Sequence, residues 1–145
     1  MKTIGILSDT HATWDERFEE HFAGCDEIWH AGDIGSEEVI DRLEKLAPVH
    51  AVAGNIDGMV LRRRFGLEQE WVTDGVKVYM THIGGYPGKY APGVKFKLET
   101  RRPKIFVCGH SHILKVMYDR ELNILHINPG AAGVYGWQAV RTLIR

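Results

Sequence analysis

Two aspartates, one asparagine and four histidines stand in short polar loops, each directly after a short apolar run. The loops are Asp9-Thr10-His11, Gly32-Asp33, Gly54-Asn55, Thr81-His82 and Gly109-His110-Ser111-His112. Carboxylate, amide and imidazole donors without a thiolate suit Mn, Fe, Zn, Ni or Co better than Ca. Seven such donors exceed what one tetrahedral ion needs and fit two ions sharing a bridging carboxylate. Two ions about 3.5–4 Å apart can hold a bridging hydroxide and clamp a phosphoryl group during in-line attack. Each loop alone has a plainer reading, Asp-x-His as a turn or cap and Gly-Asp as a turn. The argument for metal rests on the ordered set, which falls at the end of strand after strand.

Those loops have to be positioned by the elements between them. Ile4 to Leu7 is a short apolar run that reads as a buried strand. Trp14, Phe18 and Phe22 recur at helical spacing, so Trp14 to Phe22 is expected to be a helix. Asp26 to Ala31 and Val49 to Ala53 read as strands. Between them Ser36 caps a helix carrying Val39, Leu43 and Leu46, stopped by Pro48. Asp74-Gly75 joins Glu70–Thr73 to Val76–Met80 as a hairpin. Val94 to Arg101 is a helix, Lys104 to Cys108 a strand, and Leu114–Tyr118 with Asn123–Ile127 a second hairpin; a last strand is expected over Gln138 to Ile144. The class is α/β with mixed sheets, two of them packed face to face and helices outside. In such sheets ligands gather beyond the carboxyl ends of the strands.

The 145 residues are expected to form a single domain over 1–145. Lys and Arg total 18 against 19 Asp and Glu, a net charge of −1, which disfavours a protein built to grip nucleic acid through bulk charge. No apolar run approaches the roughly 20 residues of a membrane span. Met1-Lys2-Thr3 leads into only a short apolar run before Asp9, unlike a signal peptide. Cys25 and Cys108 lie far apart without a CxxC pattern, so no disulfide framework is indicated. A cytoplasmic protein is expected.

Taken together, Asp9-x-His11, Gly32-Asp33, Gly54-Asn55-x-Asp57, His82 and Gly-His110-x-His112 resemble the five ordered motifs of calcineurin-like metallophosphoesterases. The spacing is most similar to the small bacterial and archaeal phosphodiesterase branch, which Asn128-Pro129-Gly130 also matches. The resemblance implies a four-layer α/β/β/α sandwich with a dinuclear site at the carboxyl ends of the strands. Asp9, His11 and His112 would hold one divalent transition-metal ion. Asn55, His82 and His110 would hold the other, with Asp33 bridging. Manganese leads among the metals, with nickel, iron, zinc and cobalt as alternatives. Asn55, Asp57 and His82 are the residues to which the resemblance gives a catalytic role. For Asp57 that role is orienting the site, against the plainer reading of a turn residue.

This chain departs from the family pattern in two places. Many members carry a histidine, the candidate proton donor to the leaving group, where this chain has Ile56. An isoleucine cannot donate a proton, which favours diesters or good leaving groups over alkyl monoesters. Relatives commonly have glycine directly after the fourth-motif histidine, where this chain has Ile83. Ile83 opens the loop Ile83 to Tyr90, whose Tyr86 and Tyr90 are candidates to touch substrate. His30 reads as a buried strand histidine, with support of the site as the sharper alternative. His21, His50 and His126 fit no motif. Arg62-Arg63-Arg64 and Arg101-Arg102-Pro103-Lys104 read as solvated faces. Leu61, Phe65 and Trp71 are candidates for the surface of a homo-oligomer.

The leading function is therefore a metal-dependent phosphodiesterase acting on a small phosphoester. The alternatives are a phosphomonoesterase or nucleotide phosphatase with the same site, and a non-catalytic binding module, as in a retromer subunit that looks like this fold.

Overall fold

The computed structural model describes residues 1–145. In chain order the elements are β1 (Ile4–Leu7), α1 (Arg17–Phe22), β2 (Glu27–His30), α2 (Glu37–Glu44), β3 (Val49–Ala51) and α3 (Met59–Phe65). There follow β4 (Glu68–Thr73), β5 (Val76–Thr81), β6 (Gly85–Tyr86), β7 (Lys89–Tyr90), α4 (Val94–Arg101), β8 (Ile105–Val107), β9 (Leu114–Asp119) and β10 (Ile124–Pro129). No helix is long and apolar enough to cross a membrane.

β1, β2 and β3 form a parallel sheet in that order. It becomes mixed at its edge, where Ile144 bridges Ile6 antiparallel through reciprocal hydrogen bonds of 2.8 and 2.9 Å. The second sheet runs β4-β5-β8-β10-β9. Its three inner strands are parallel, and antiparallel hairpin partners close both edges. The β4–β5 turn has Asp74 and Gly75 both at positive φ, 50° and 77°, the type I′ geometry that matches strand twist. β6 and β7 pair as a two-residue hairpin after β5.

Three apolar clusters hold these elements. Phe18 and Phe22 of α1, Val39, Ile40 and Leu43 of α2, and Leu61 of α3 pack on Leu7, Ile28 and Ala51 of the first sheet. From the same sheet Ile6 and Trp29 meet Val78, Met80, Val107 and Ile127 of the second. Val94 and Leu98 of α4 cover Tyr79, Phe106 and Ile124 on the second sheet's other side. Alternation along each strand sends side chains to opposite faces, so Ile6 and Leu7 join different clusters.

Several boundaries differ from expectation. α1 begins at Arg17, because the Asp15 carboxylate accepts the Arg17 N–H (2.9 Å) and closes the chain into a turn there. α3 was not foreseen; three arginines and one buried residue, Leu61, give it little apolar periodicity. Of the three residues considered for an oligomer surface, Leu61 is buried in the core, while Phe65 and Trp71 are half-buried and pack against the clusters. No strand forms over Gln138 to Ile144, where only Ile144 bridges. Cys25 and Cys108 are both buried free thiols.

His126 lies wholly buried among the rings of Tyr86, Phe106 and Tyr90, and neither ring nitrogen has a hydrogen-bond partner. Burial chiefly, with Lys115 adding and Asp119 opposing, pushes its pKa down to about 4. A histidine whose folded pKa lies below its unfolded 6.5 adds stability above 6.5 and loses it as the pH falls toward 4. His126→Phe removes both that titration and the unpaired nitrogens. In urea melts at pH 7 and pH 4.5 the variant's advantage over the native chain should widen at the lower pH. A difference independent of pH would refute this account of His126.

Candidate metal centre

The loops after β1, β2, β3, β5 and β8 carry, in turn, Asp9 and His11, Asp33, Asn55, His82, and His110 with His112. The fold brings them to one place. The donor atoms of Asp9, His11 and His112 lie within 4.8 Å of one another, and so do those of Asp33, His82 and His110. Asp33 joins the two groups, its Oδ2 being 3.4 Å from His11 Nε2 and 3.2 Å from His82 Nε2. Asp9 Oδ1 lies 3.1 Å from His112 Nε2 and 3.8 Å from His82 Nε2. Asn55 completes the arrangement, its Oδ1 being 3.1 Å from His110 Nδ1.

Each donor is aimed by a partner behind it. Ser8 Oγ donates to Asp9 Oδ2 (2.6 Å), as does the His110 N–H (3.1 Å), leaving Oδ1 to face the cluster. His82 Nδ1–H donates to the Ala31 carbonyl (2.7 Å) and His112 Nδ1–H to Gln138 Oε1 (3.0 Å). Such bonds select the tautomer that leaves Nε2 as a bare lone pair. The His11 ring stacks on Tyr135 at 4.7 Å between centroids. Asp9, His11, Asp33, His110 and His112 all have positive φ, between 45° and 71°. Left-handed backbone at a non-glycine residue costs of order 1–3 kcal/mol and persists where surrounding structure over-determines it, above all at functional sites. Two glycines make the close approaches possible. A Cβ at Gly54 would fall on Asp33, and one at Gly109 on Ser8 and Asp9.

The donor atoms pass a direct test of fit to metal. Asp9 Oδ1, His11 Nε2 and His82 Nε2 are buried without a hydrogen-bond partner, yet all three point into the same cluster. Buried polar atoms are normally paired, so three orphans converging on one space ask for a cation. Burial pushes the Asp33 carboxyl up, but His82, the Ile56 N–H (3.1 Å) and His11 outweigh it and hold the pKa at about 2. Asp33 is therefore an anion across the ordinary pH range. Burial also opposes charge on His82, and the neighbouring Asp33 and Asp9 carboxylates override it and raise its pKa. An ion at 100 times its dissociation constant stabilises the folded state by about 2.7 kcal/mol. For a chain of this size that raises Tm by roughly 5–10 °C per ion. Thermal melts with and without a chelator check this, and an unchanged Tm at saturating manganese would contradict it.

Asp57 is not among the converging donors. It is buried, and its carboxylate accepts the N–H groups of Ile34 (3.0 Å), Gly35 (2.8 Å) and Gly54 (2.8 Å), tying the loop after β2 to the loop after β3. It is a positioning residue with no free oxygen turned to the site. His30 acts similarly on the first two loops. Its Nδ1 accepts the Gly32 N–H (3.1 Å), and Nε2–H donates to Thr10 Oγ1 (3.0 Å), which in turn donates to the Ile34 carbonyl (2.9 Å). Burial keeps that imidazole neutral, with its pKa down to about 3. Ile83 points outward and leaves His82 buried in place. The phenols of the following loop are already engaged, Tyr86 with Ser111 and Tyr90 with Asp119.

Sequence reasoning missed Ser8, Gln138 and Tyr135 as supports. Ser8 adjoins a motif, but the other two lie in the irregular stretch after Gly133 and carry no local signal. Asn128 was legible, and it pins the last loop by donating to the Gly109 carbonyl (3.0 Å) and Ser111 Oγ (3.1 Å). One arginine of each basic run is held by carboxylates, and Arg63, Arg102 and Lys104 are exposed. Arg64 reaches Glu37, Asp41 and Glu44, and Arg101 reaches Glu68 and Glu70.

Comparison with known proteins places the chain among relatives of one kind. The chain is 33% identical over 141 residues to a probable metallophosphoesterase of Methanocaldococcus jannaschii, covering 90% of this chain and 68% of that protein. A solved structure described as a novel archaeal phosphodiesterase superposes with a TM-score of 0.75 at 26% identity, covering 99% of this chain and 91% of that one. Wild-type Vps29 of Entamoeba histolytica, solved with Zn2+, matches with a TM-score of 0.75 at 20% identity, over 96% of this chain and 79% of that one. At that identity the likeness is one of fold alone. The calcineurin-like phosphoesterase superfamily domain matches residues 1–145, and to that superfamily the chain belongs.

Proposed function

We propose that this chain is a dinuclear metal-dependent phosphodiesterase, folded over residues 1–145 as one four-layer α/β/β/α sandwich whose interlayer cores are the three apolar clusters. The observation that carries the reading is the pair of donor groups joined by Asp33, with orphaned atoms of Asp9, His11 and His82 converging between them. Asp9, His11 and His112 would hold one ion and Asn55, His82 and His110 the other, with Asp33 serving both. Manganese is the first candidate, and nickel, iron, zinc and cobalt suit the same donors. Two such ions would draw a nucleophile from water and neutralise the phosphoryl oxygens. The protein's own part is preorganisation. Ser8, Ala31 and Gln138 fix the faces of Asp9, His82 and His112, while Asp57 and His30 lock three loops in register.

No side chain stands ready to protonate a leaving group at Ile56, which is half exposed beside Asn55. That favours esters whose leaving group departs as a stable anion, and the archaeal phosphodiesterase neighbour supports a diester over a monoester. The substrate is read as a small phosphoester met in the cytoplasm. The reading is tested by stripping the protein of metal, restoring Mn, Ni, Zn, Fe or Mg separately, and following an aryl phosphodiester beside its monoester. Rescue by a transition metal with the diester preferred is the expected result. Two ions bound per chain with no ester turned over would instead favour a metal-bearing binding module.

A further inference from the structure

Beside the cluster, the β6–β7 hairpin leans over the loop that follows β8. Between them lies a pocket of about 310 Å3, lined among others by Tyr86, Lys89 and Tyr90 from the hairpin and by His110 and Ser111 from the loop. His110 belongs both to this pocket and to the Asp33–His82–His110 group, so the pocket opens directly off the candidate metal centre. Its volume reaches the lower end of small-molecule sites, about 300–1,000 Å3.

The chemistry of the walls narrows the occupant. The Tyr86 and Tyr90 hydroxyls are committed to Ser111 and Asp119, which straps the hairpin down and leaves ring carbon facing any guest. The backbone of Gly84 and Gly85 supplies flat peptide surface, and a Cβ at Gly84 would fall on Cys108 and Phe106. One cation, Lys89, stands exposed at the pocket. Ring edges and peptide planes beside a phosphate-binding end suit a flat, weakly polar ring better than a bare sugar. Ile83 lines this pocket and also a second one of about 250 Å3 bordered by Asn55, Arg62 and His82. It is therefore the ridge that would send the two substituents of a diester to opposite sides.

We infer that the hairpin pocket takes the aromatic ring of the phosphoester, an aryl group or a nucleobase, and that Tyr86 and Lys89 determine this preference. The inference rests on the proposal that the phosphoryl group lies at the metal centre. Its test reads binding rather than turnover: calorimetric titration of the manganese-loaded protein with adenosine monophosphate, phenyl phosphate and ribose 5-phosphate. The ring-bearing esters should bind at least about tenfold tighter than ribose 5-phosphate. Tyr86→Ala opens one wall. Lys89→Trp places bulk at the pocket from an exposed strand position, where a tryptophan is well tolerated. In both variants the ring advantage should fall to about twofold or less. Tight binding of both ring esters supports a general ring site, and an advantage confined to the nucleotide supports a nucleobase site. Equal affinities for all three ligands, or a ring advantage that survives both variants, overturns the pocket assignment while leaving the phosphate site standing. If none of the three binds, the phosphate site fails and the pocket with it.

Discussion

Asp33→Asn is expected to lower kcat on an aryl phosphodiester by at least about 1,000-fold, roughly 4 kcal/mol of barrier, while the protein stays folded. The side chain is isosteric, and its remaining oxygen can still accept the Ile56 N–H that Asp33 Oδ1 accepts now at 3.1 Å. What it loses is the negative charge shared between the two donor groups. Oδ2 is the only carboxylate oxygen within 3.5 Å of both His11 Nε2 and His82 Nε2, so no neighbouring carboxylate can take its place. Asp9, the other carboxylate of the two donor groups, lies 3.8 Å or more from those two nitrogens and already holds two hydrogen bonds on its other oxygen. Metal content should fall from two ions per chain to one or fewer, with a normal circular dichroism spectrum. Residual activity above about one-tenth of native, with two ions still bound, would sink the bridging role of Asp33.

The reach of the sequence can be judged residue by residue. The donors themselves were legible because each ends a strand, and strand ends show plainly where Ile6-Leu7, Val52-Ala53 or Val107-Cys108 gives way to polar residues and glycine. The supports were less so. Gln138 meets His112, 26 positions away, only because the chain after β10 doubles back to place Ile144 beside Ile6. No periodicity encodes that return, and where a strand is expected over Gln138 to Ile144 a single bridge exists. α3 escaped notice because its apolar content is concentrated in Leu61 while Met59 and Val60 face solvent. Asp57 is expected to orient the site, and the means is what its place two residues after Asn55 does not reveal: its carboxylate is consumed by three backbone N–H groups. The left-handed backbone at five of the seven donor positions was also invisible, since none of those five is glycine.

Ile56→His should raise turnover of an alkyl phosphomonoester by about 100-fold and leave an aryl diester within about threefold of native. The position is suited to the change. The Ile56 backbone is pinned to Asp33 through its N–H, while its side chain is 48% exposed, so a polar ring costs little there. General acid catalysis typically contributes 100- to 10,000-fold, and a newly placed group should reach only the lower end. The contrast between substrates follows from the leaving group. An aryl oxide departs without a proton, whereas an alkoxide does not, so only the alkyl ester gains from a donor. The pH profile supplies an independent reading. The gained activity needs imidazolium, so it should be greatest below a pKa near 6.5 and decline as the pH rises through it. An equal change on both esters, or a gain without that falling limb, would show that the substitution altered metal binding or access rather than adding an acid. With the limb present, a proton donor would be the function that Ile56 withholds, and the proposed diester preference would follow from that one side chain.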